Sequence, residues 1–182
     1  MEMLKEKQSK MFSVLKETFG YKNKMQTPKI TKVVVSTGTG SMKDKQKIAI
    51  VEDSLAKITG QKASPRPAKK SIASFKLREG TVIGYQVTLR GERAYDFLNK
   101  LINIALPRTR DFRGLKKTAV DEMGNLTIGI KEHTIFPETS DEELRNVFGM
   151  SITVVTTAKN KKEATKYLEE MGFPFKVEST PV

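Results

Sequence analysis

Two stretches of the chain carry positive charge with no acidic side chain among them, and this pattern suits contact with phosphate groups. Residues 18–43 contain five lysines and residues 54–78 contain seven Lys and Arg, with no Asp or Glu in either stretch. Cations without neighbouring carboxylates stay available for phosphate oxygens. The second stretch also contains Gln61 and Ser71, which can donate to phosphates, 2′-hydroxyls or base edges. Both stretches indicate a nucleic-acid partner.

The distribution of charge supports this interpretation and assigns it to one half of the chain. The 182 residues include 33 Lys and Arg against 21 Asp and Glu, a net charge of +12. Residues 1–100 hold 21 basic and 9 acidic side chains, whereas residues 101–182 hold 12 of each. Such an excess favours a polyanion, with an anionic membrane, another acidic partner or a solubilising surface as alternatives. RNA is preferred over DNA because no helix has the pattern of a basic major-groove reader.

Residue types exclude or disfavour several classes of protein. The absence of Cys excludes disulfides, thiolate zinc sites and cysteine nucleophiles, and it fits the reducing cytoplasm. The single histidine, His133, is expected to be a surface or hydrogen-bonded residue rather than a catalyst. The longest apolar run is four residues, too short to span a membrane. No phosphate-binding loop, KH or RRM signature occurs. We therefore expect no enzyme, no metal and no cofactor.

An acidic cluster in the neutral half leaves three interpretations open. Glu138, Asp141, Glu142 and Glu143 surround a predicted helix start, where carboxylates favour the helix dipole. The same cluster could meet a basic partner protein. It could also hold Mg²⁺, which would make the chain a metal-dependent RNA-processing enzyme. That enzyme is the alternative to an RNA-binding role.

Hydrophobic periodicity and Gly or Pro positions predict an α+β fold. The predicted helices are 3–19, 44–59, a helix whose apolar face covers 97–105, a short helix at 141–147, and 160–171. The predicted strands are 29–35, a candidate just before the turn at Gly124, 126–130 and 150–157. In addition, an extended segment at 65–67 is followed by a long predicted hairpin over 71–90. We expect a single mixed, largely antiparallel sheet with helices packed on one face, the other face open for RNA, and a protruding β-hairpin. On that hairpin, Phe75 and Tyr85 are either stacking residues or core residues. Residues 1–176 would form one domain, followed by a flexible tail at 177–182.

Several motifs resemble a known family over most of the chain. They are found, among other places, at residues 60–62, 69–78, 87–93, 105–114, 135–138, 154–158 and 172–175. From about residue 4 to residue 176, the chain is similar to the bacterial-type fifth proteins of the large ribosomal subunit, the 5S-rRNA-binding proteins of the central protuberance. That family usually has Asn at the position of Ser36 and a carboxylate at the position of Ser41.

The resemblance implies a structural role in which the exposed sheet face and nearby loops bind 5S rRNA and help dock it. Large-subunit rRNA and neighbouring large-subunit proteins are further expected partners of a cytoplasmic, ribosome-bound protein, with no membrane. By motif, the 5S rRNA contacts would be Ser36, Thr37, Gly38, Gly40, Gln61, Lys62, Lys69, Lys70, Ser71, Thr88 and Arg90.

Two further contact regions follow from the same resemblance. A hairpin tip over residues 75–84 would reach the P-site tRNA, through Phe75, Lys76, Arg78, Gly80 and Gly84. A second region would face protein S-thirteen of the small-subunit head. Its residues would be Arg108, Arg110, Asp111, Arg113, Glu138, Asp141 and Glu142.

Overall fold

The computed structural model describes residues 3–42, 44–140 and 147–176. Over these residues the chain forms four α-helices and five strands that make one antiparallel sheet, which confirms the predicted α+β class. The elements are α1 (Leu4–Phe19), β1 (Ile30–Gly38), α2 (Lys45–Thr59), β2 (Ser64–Pro67), β3 (Val82–Leu89), α3 (Glu92–Lys100), β4 (Leu126–Ile130), β5 (Met150–Thr156) and α4 (Lys161–Met171).

The helices begin and end where local sequence signals predict. Helix α1 buries Leu4, Met11 and Leu15 on one face and ends at Gly20, whose φ of 67° suits the left-handed region. Helix α2 begins at Asp44, whose carboxylate accepts a hydrogen bond from the Gln46 N–H at 3.4 Å. Regular periodicity and capping therefore account for both helices. Helix α3 continues through a π-helical turn at Leu101–Ala105.

The five strands lie in the order β2-β3-β1-β5-β4. Strands β2 and β3 are antiparallel, with Ser64 opposite Gln86 and Arg66 opposite Gly84. Burial alternates along the strands, as in β3, where Val87 is buried and Thr88 is half-exposed. One face of the sheet therefore carries the apolar core, and the other keeps its polar side chains accessible.

The chain divides into two compact units, which are described separately below. Unit 1 comprises residues 1–33, 90–128 and 153–182, and unit 2 comprises residues 34–89 and 129–152. The core of unit 1 includes Leu15, Leu98 and Tyr167. That of unit 2 includes Leu55 and Val87. The expectation of one domain over 1–176 stays a prediction.

The predicted hairpin over 71–90 is wrong in its first arm. The neighbours of β3 are β1 on one side and β2 on the other, whereas residues 71–78 form a small turn around the 3₁₀ segment Ala73–Phe75. Backbone bonds of 3.0 and 3.1 Å between Ile72 and Leu77 close this turn. Alternation of Tyr85, Val87 and Leu89 correctly predicted the return strand, but the antiparallel strand on its outer side comes from the Pro-rich segment before residue 71.

Other boundaries differ from the sequence predictions. Strand β1 extends to Gly38, so Ser36 and Thr37 lie in a strand rather than in a loop. The segment before the turn at Gly124 forms a 3₁₀ turn, Lys117–Ala119, and an isolated bridge from Val120 to Leu126 instead of a strand. The short helix predicted at 141–147 falls almost entirely outside the described residues.

Candidate nucleic-acid interface

Unit 2 has an open groove with polar side chains on the accessible face of its strands. The groove measures about 580 Å³. Its lining includes Ser36, Gly38, Arg66, Gln86 and Ser151. Ser36 and Gln86 occupy the half-exposed positions of β1 and β3, between buried neighbours. The alternation that fills the core thus places hydrogen-bonding groups on the opposite face, where an extended polar ligand can contact several strands.

Gln61 and Thr88 lie together beside this face. Gly60, at φ 66°, ends α2 and turns the chain, and the Thr59 hydroxyl donates to the Gln61 carbonyl at 3.1 Å. The Gln61 side-chain amide then donates to the Thr88 carbonyl at 3.4 Å. This arrangement brings two sequence-predicted site residues together and leaves Lys62 exposed next to them.

The loop after β2 concentrates positive charge. Lys69, Lys70 and Ser71 are exposed, and the Ser71 hydroxyl oxygen accepts a hydrogen bond from the Glu79 N–H at 2.9 Å. Residues 34–89 contain ten Lys and Arg against four Asp and Glu, a net charge of +6. Among the described residues, neither Lys69 nor Lys70 is in an ion pair with a carboxylate, so both remain available for phosphates.

The tip of this loop exposes an aromatic side chain. Phe75 is 78% exposed at the end of the turn. Lys76 follows with a left-handed φ of 52°, and Gly80 has a φ of 81°. Arg78 is exposed on the same loop. Phe75 is therefore not a core residue, and its ring is free to stack on a flat ligand group.

Three further residues that the sequence analysis singled out are buried in the structure. The Thr37 hydroxyl is buried and donates to the Gly149 carbonyl at 2.7 Å. Gly84 lies inside β3 rather than at a tip, opposite Arg66. Tyr85 is buried, and this burial together with the nearby Glu52 carboxylate raises the pKa of its phenol. Tyr85 is thus a core residue.

The remaining predicted residues divide between the units. Arg90, Arg108, Arg110, Asp111 and Arg113 are exposed in unit 1, and Gly40 and Glu138 are exposed in unit 2. Asp111 has a left-handed φ of 53° in its loop. Asp141 and Glu142 fall outside the described residues.

Neither a catalytic histidine nor a metal centre emerges in the parts of the chain that the structure describes. His133 is fully buried, its Nδ1 accepts from the Phe148 N–H at 3.3 Å, and the two rings stack at 4.1 Å. This confirms its expected structural role. Over residues 3–42, 44–140 and 147–176, no group of three or more acidic or His side chains is arranged to hold a metal ion. Within the same residues, no helix has the length and apolarity of a membrane span.

Comparison with known proteins places the chain in a family. Residues 23–78 match the family model described as ribosomal protein L5, and residues 82–175 match the model that describes the C-terminus of the same ribosomal family. The chain is 53% identical over 172 residues to large ribosomal subunit protein uL5 of Flavobacterium johnsoniae, covering 94% of each chain. It is 49% identical over 177 residues to uL5 of a Thermoanaerobacter species, covering 96% of this chain and 99% of the relative. The chain belongs to the uL5 family of ribosomal proteins.

Membership of the uL5 family confirms the resemblance of the motifs and decides between the two functional classes. The family consists of structural ribosomal proteins of the large subunit, not of enzymes. The alternative of a Mg²⁺-dependent RNA-processing enzyme is therefore wrong. The acidic side chains between residues 138 and 143 therefore do not serve catalysis.

Arg66, Gln86 and Ser151 are groove residues that the sequence prediction missed. Gln86 was within reach of sequence analysis, because it lies two positions before Thr88 on an alternating strand. Arg66 belongs to the acid-free stretch 54–78, but its place opposite Gly84 depends on the pairing of β2 with β3. Ser151 reaches the groove only through the sheet order.

Proposed function

We propose that this uL5-family chain binds 5S rRNA in the large ribosomal subunit, with the open groove of unit 2 and the basic loop beside it. The single observation that carries the proposal is the juxtaposition of a polar strand face with lysines that have no carboxylate partner among the described residues. Gln61 is hydrogen-bonded to the Thr88 carbonyl on that face, and Lys62 is exposed beside it. A folded RNA presents both phosphates and 2′-hydroxyls to such a surface.

The two kinds of side chain have different roles in this proposal. Lys69 and Lys70 attract phosphates and release the counterions that surround RNA, which supplies affinity that falls with salt. Ser36, Gln86 and Thr88 are short or uncharged side chains on strands. Such groups read 2′-hydroxyls and base edges in fixed positions and therefore supply discrimination between RNAs.

The experiment compares binding of the full-length protein to 5S rRNA and to a scrambled RNA of equal length. We expect 5S rRNA to bind at least tenfold more tightly. Thr88→Ala and Arg90→Ala should reduce this ratio, while Thr118→Ala and Arg93→Ala, which change exposed residues outside the predicted surface, should leave it unchanged. Equal binding of the two RNAs by the unchanged protein would contradict the proposal.

The same proposal extends to two further contacts, in the cytoplasmic ribosome. The exposed Phe75 and its basic neighbours Lys76 and Arg78 suit the sugar-phosphate backbone of P-site tRNA. The exposed loop with Arg108, Arg110 and Arg113 suits a contact with the small-subunit head, including protein S-thirteen. Both extensions rest on the motif resemblance together with exposure and charge.

A further inference from the structure

The first acid-free stretch, residues 18–43, includes a surface turn that the proposed 5S rRNA interface does not use. The turn belongs to unit 1 and contains the 3₁₀ segment Lys24–Gln26. Within this segment the Met25 side chain is 85% exposed. Single exposed apolar residues are common on protein surfaces. This one differs because the backbone that carries it is rigidly held.

Hydrogen bonds hold the turn from both ends. The Asn23 side chain accepts from the Met25 N–H at 3.0 Å, and the Gln26 side chain accepts from the N–H groups of Lys22 and Asn23 at 2.8 and 3.3 Å. Such a reciprocal capping box satisfies several N–H donors of the turn from within the turn itself. The conformation that exposes Met25 is therefore present before a partner binds.

The chain after the turn is anchored in unit 1. The Gln8 side-chain amide donates to the Pro28 carbonyl at 3.0 Å. The Lys29 N–H donates to the Thr157 hydroxyl oxygen at 3.0 Å, and the Thr157 N–H donates to the Lys29 carbonyl at 3.0 Å. The turn thus projects from the start of β1 on a fixed base.

The electrostatics of the turn identify the class of partner. Lys22 and Lys24 precede Met25 in the turn and are exposed, and among the described residues neither is paired with a carboxylate. The nearest acids along the chain are Glu17 and Asp44. Two such cations on the same short turn as an exposed apolar side chain match a phosphate backbone with an accessible base edge, and Met is among the side chains that wedge against bases.

We propose that this turn is a second RNA-contact surface, in which Lys22 and Lys24 bind phosphates and Met25 packs against an unpaired or partly unstacked nucleotide. The inference rests on the proposed ribosomal RNA-binding function and adds a contact from unit 1. The RNA is either 5S rRNA or the long rRNA of the large subunit, because both present the same chemistry.

The experiment measures binding of each of these two RNAs separately, as a function of salt. Lys22→Ala with Lys24→Ala should weaken binding to one of them more than tenfold and lower the salt slope by up to about two units. Met25→Ala should weaken the same complex by about tenfold without changing the slope. Met25→Leu, which keeps an apolar side chain of similar size, should stay within about twofold of the unchanged protein.

Two matched controls separate contact from general surface effects. Met123 is 73% exposed in the same unit but lies beside the acids Asp121 and Glu122, so Met123→Ala should not weaken binding. Lys116→Ala with Lys176→Ala removes two other exposed cations of unit 1 and should change the slope less than the Lys22 and Lys24 pair.

Three outcomes would overturn the inference. The first is that Met25→Ala and the double variant of Lys22 and Lys24 both bind each RNA as tightly as the unchanged protein. This outcome would overturn the inference even if Thr88→Ala weakens 5S rRNA binding as proposed above. A Met25→Ala effect no larger than that of Met123→Ala would remove Met25 from the surface. Release of Met25→Ala protein from large subunits, with both isolated RNAs still bound normally, would show that the occupant is a protein. Failure of the proposed 5S rRNA binding would give a different result from failure of this inference, because the unchanged protein would then not prefer 5S rRNA over the scrambled RNA.

Discussion

At the scale of single residues, Gly84 of β3 lies where a side chain would collide with the backbone of β1. A Cβ at this position would lie 2.6 Å from the Thr37 carbonyl oxygen, closer than van der Waals contact allows. The obstacle is backbone, so it cannot rotate away. The groove next to it, between Ser36 and Gln86, depends on this close approach.

Gly84→Ala should therefore lower the free energy of unfolding by about 2 kcal/mol, the usual cost of forcing extra volume into packed structure. Urea denaturation measures this loss. Gly38→Ala is the matched control on β1, because a Cβ there would meet nothing within 4 Å, and it should change stability little. Equal stability of the two variants would show that β1 and β3 separate easily.

At the scale of elements, the turn before β4 is held by one carboxylate. Asp121 accepts from the Asn125 N–H at 2.6 Å and from the Asn125 side-chain amide at 3.0 Å. Burial acts to raise the pKa of Asp121, but these bonds and others from Met123 and Gly124 prevail and lower it. The folded state thus prefers the charged form, and this contribution to stability is lost as pH falls below the ordinary pKa of Asp.

Asp121→Asn should cost about 1 kcal/mol of unfolding free energy at pH 7, comparable with loss of a helix cap. The cost should shrink between pH 4 and pH 2, because the protonated carboxyl of the unchanged protein loses the same interactions. Urea unfolding at the two ends of this range tests the sign. Glu122→Gln, at an exposed neighbouring acid, is the matched control and should change the unfolding free energy at pH 7 little. A cost of Asp121→Asn that is constant with pH would contradict the assignment.

At the scale of the whole molecule, we expect the uneven charge of the chain to determine how the proposed RNA binding responds to salt. The first hundred residues carry the entire net charge of +12. Lys69→Ala with Lys70→Ala should flatten the plot of log K for 5S rRNA against log salt by up to about two units. Lys161→Ala with Lys162→Ala, in the neutral half, should flatten it less. Equal slopes for the two variants would remove Lys69 and Lys70 from the interface.

Local sequence patterns predicted the helices and the central strands of the sheet because the required signals are local. Leu4, Met11 and Leu15 repeat at helical spacing before Gly20, and Leu126, Ile128 and Ile130 alternate at strand spacing. Charge and the family motifs likewise need no coordinates. These patterns indicated an RNA-binding ribosomal protein and placed Gln61 and Thr88 in the site.

Strand pairing was beyond local patterns. Residues 71–78 stand where the outgoing arm of a hairpin would be expected, but the strand on the outer side of β3 is the segment Ser64–Pro67, which contains two prolines. A strand next to only one neighbour tolerates Pro, because its free edge needs no N–H donors. The outgoing arm of the hairpin was therefore assigned to the wrong residues.

The sequence by itself determined the α+β class, the helix ends, the position of the positive charge and the family. Only the tertiary structure decided that Ser36 faces the groove while Thr37 bonds Gly149 inside, that Gly84 lies against β1, and that Arg66 and Ser151 join the same polar face. The physical reason is that successive strand residues point to opposite faces. Which residues share a face therefore depends on register between segments far apart in the chain, and local propensity carries no information about that register.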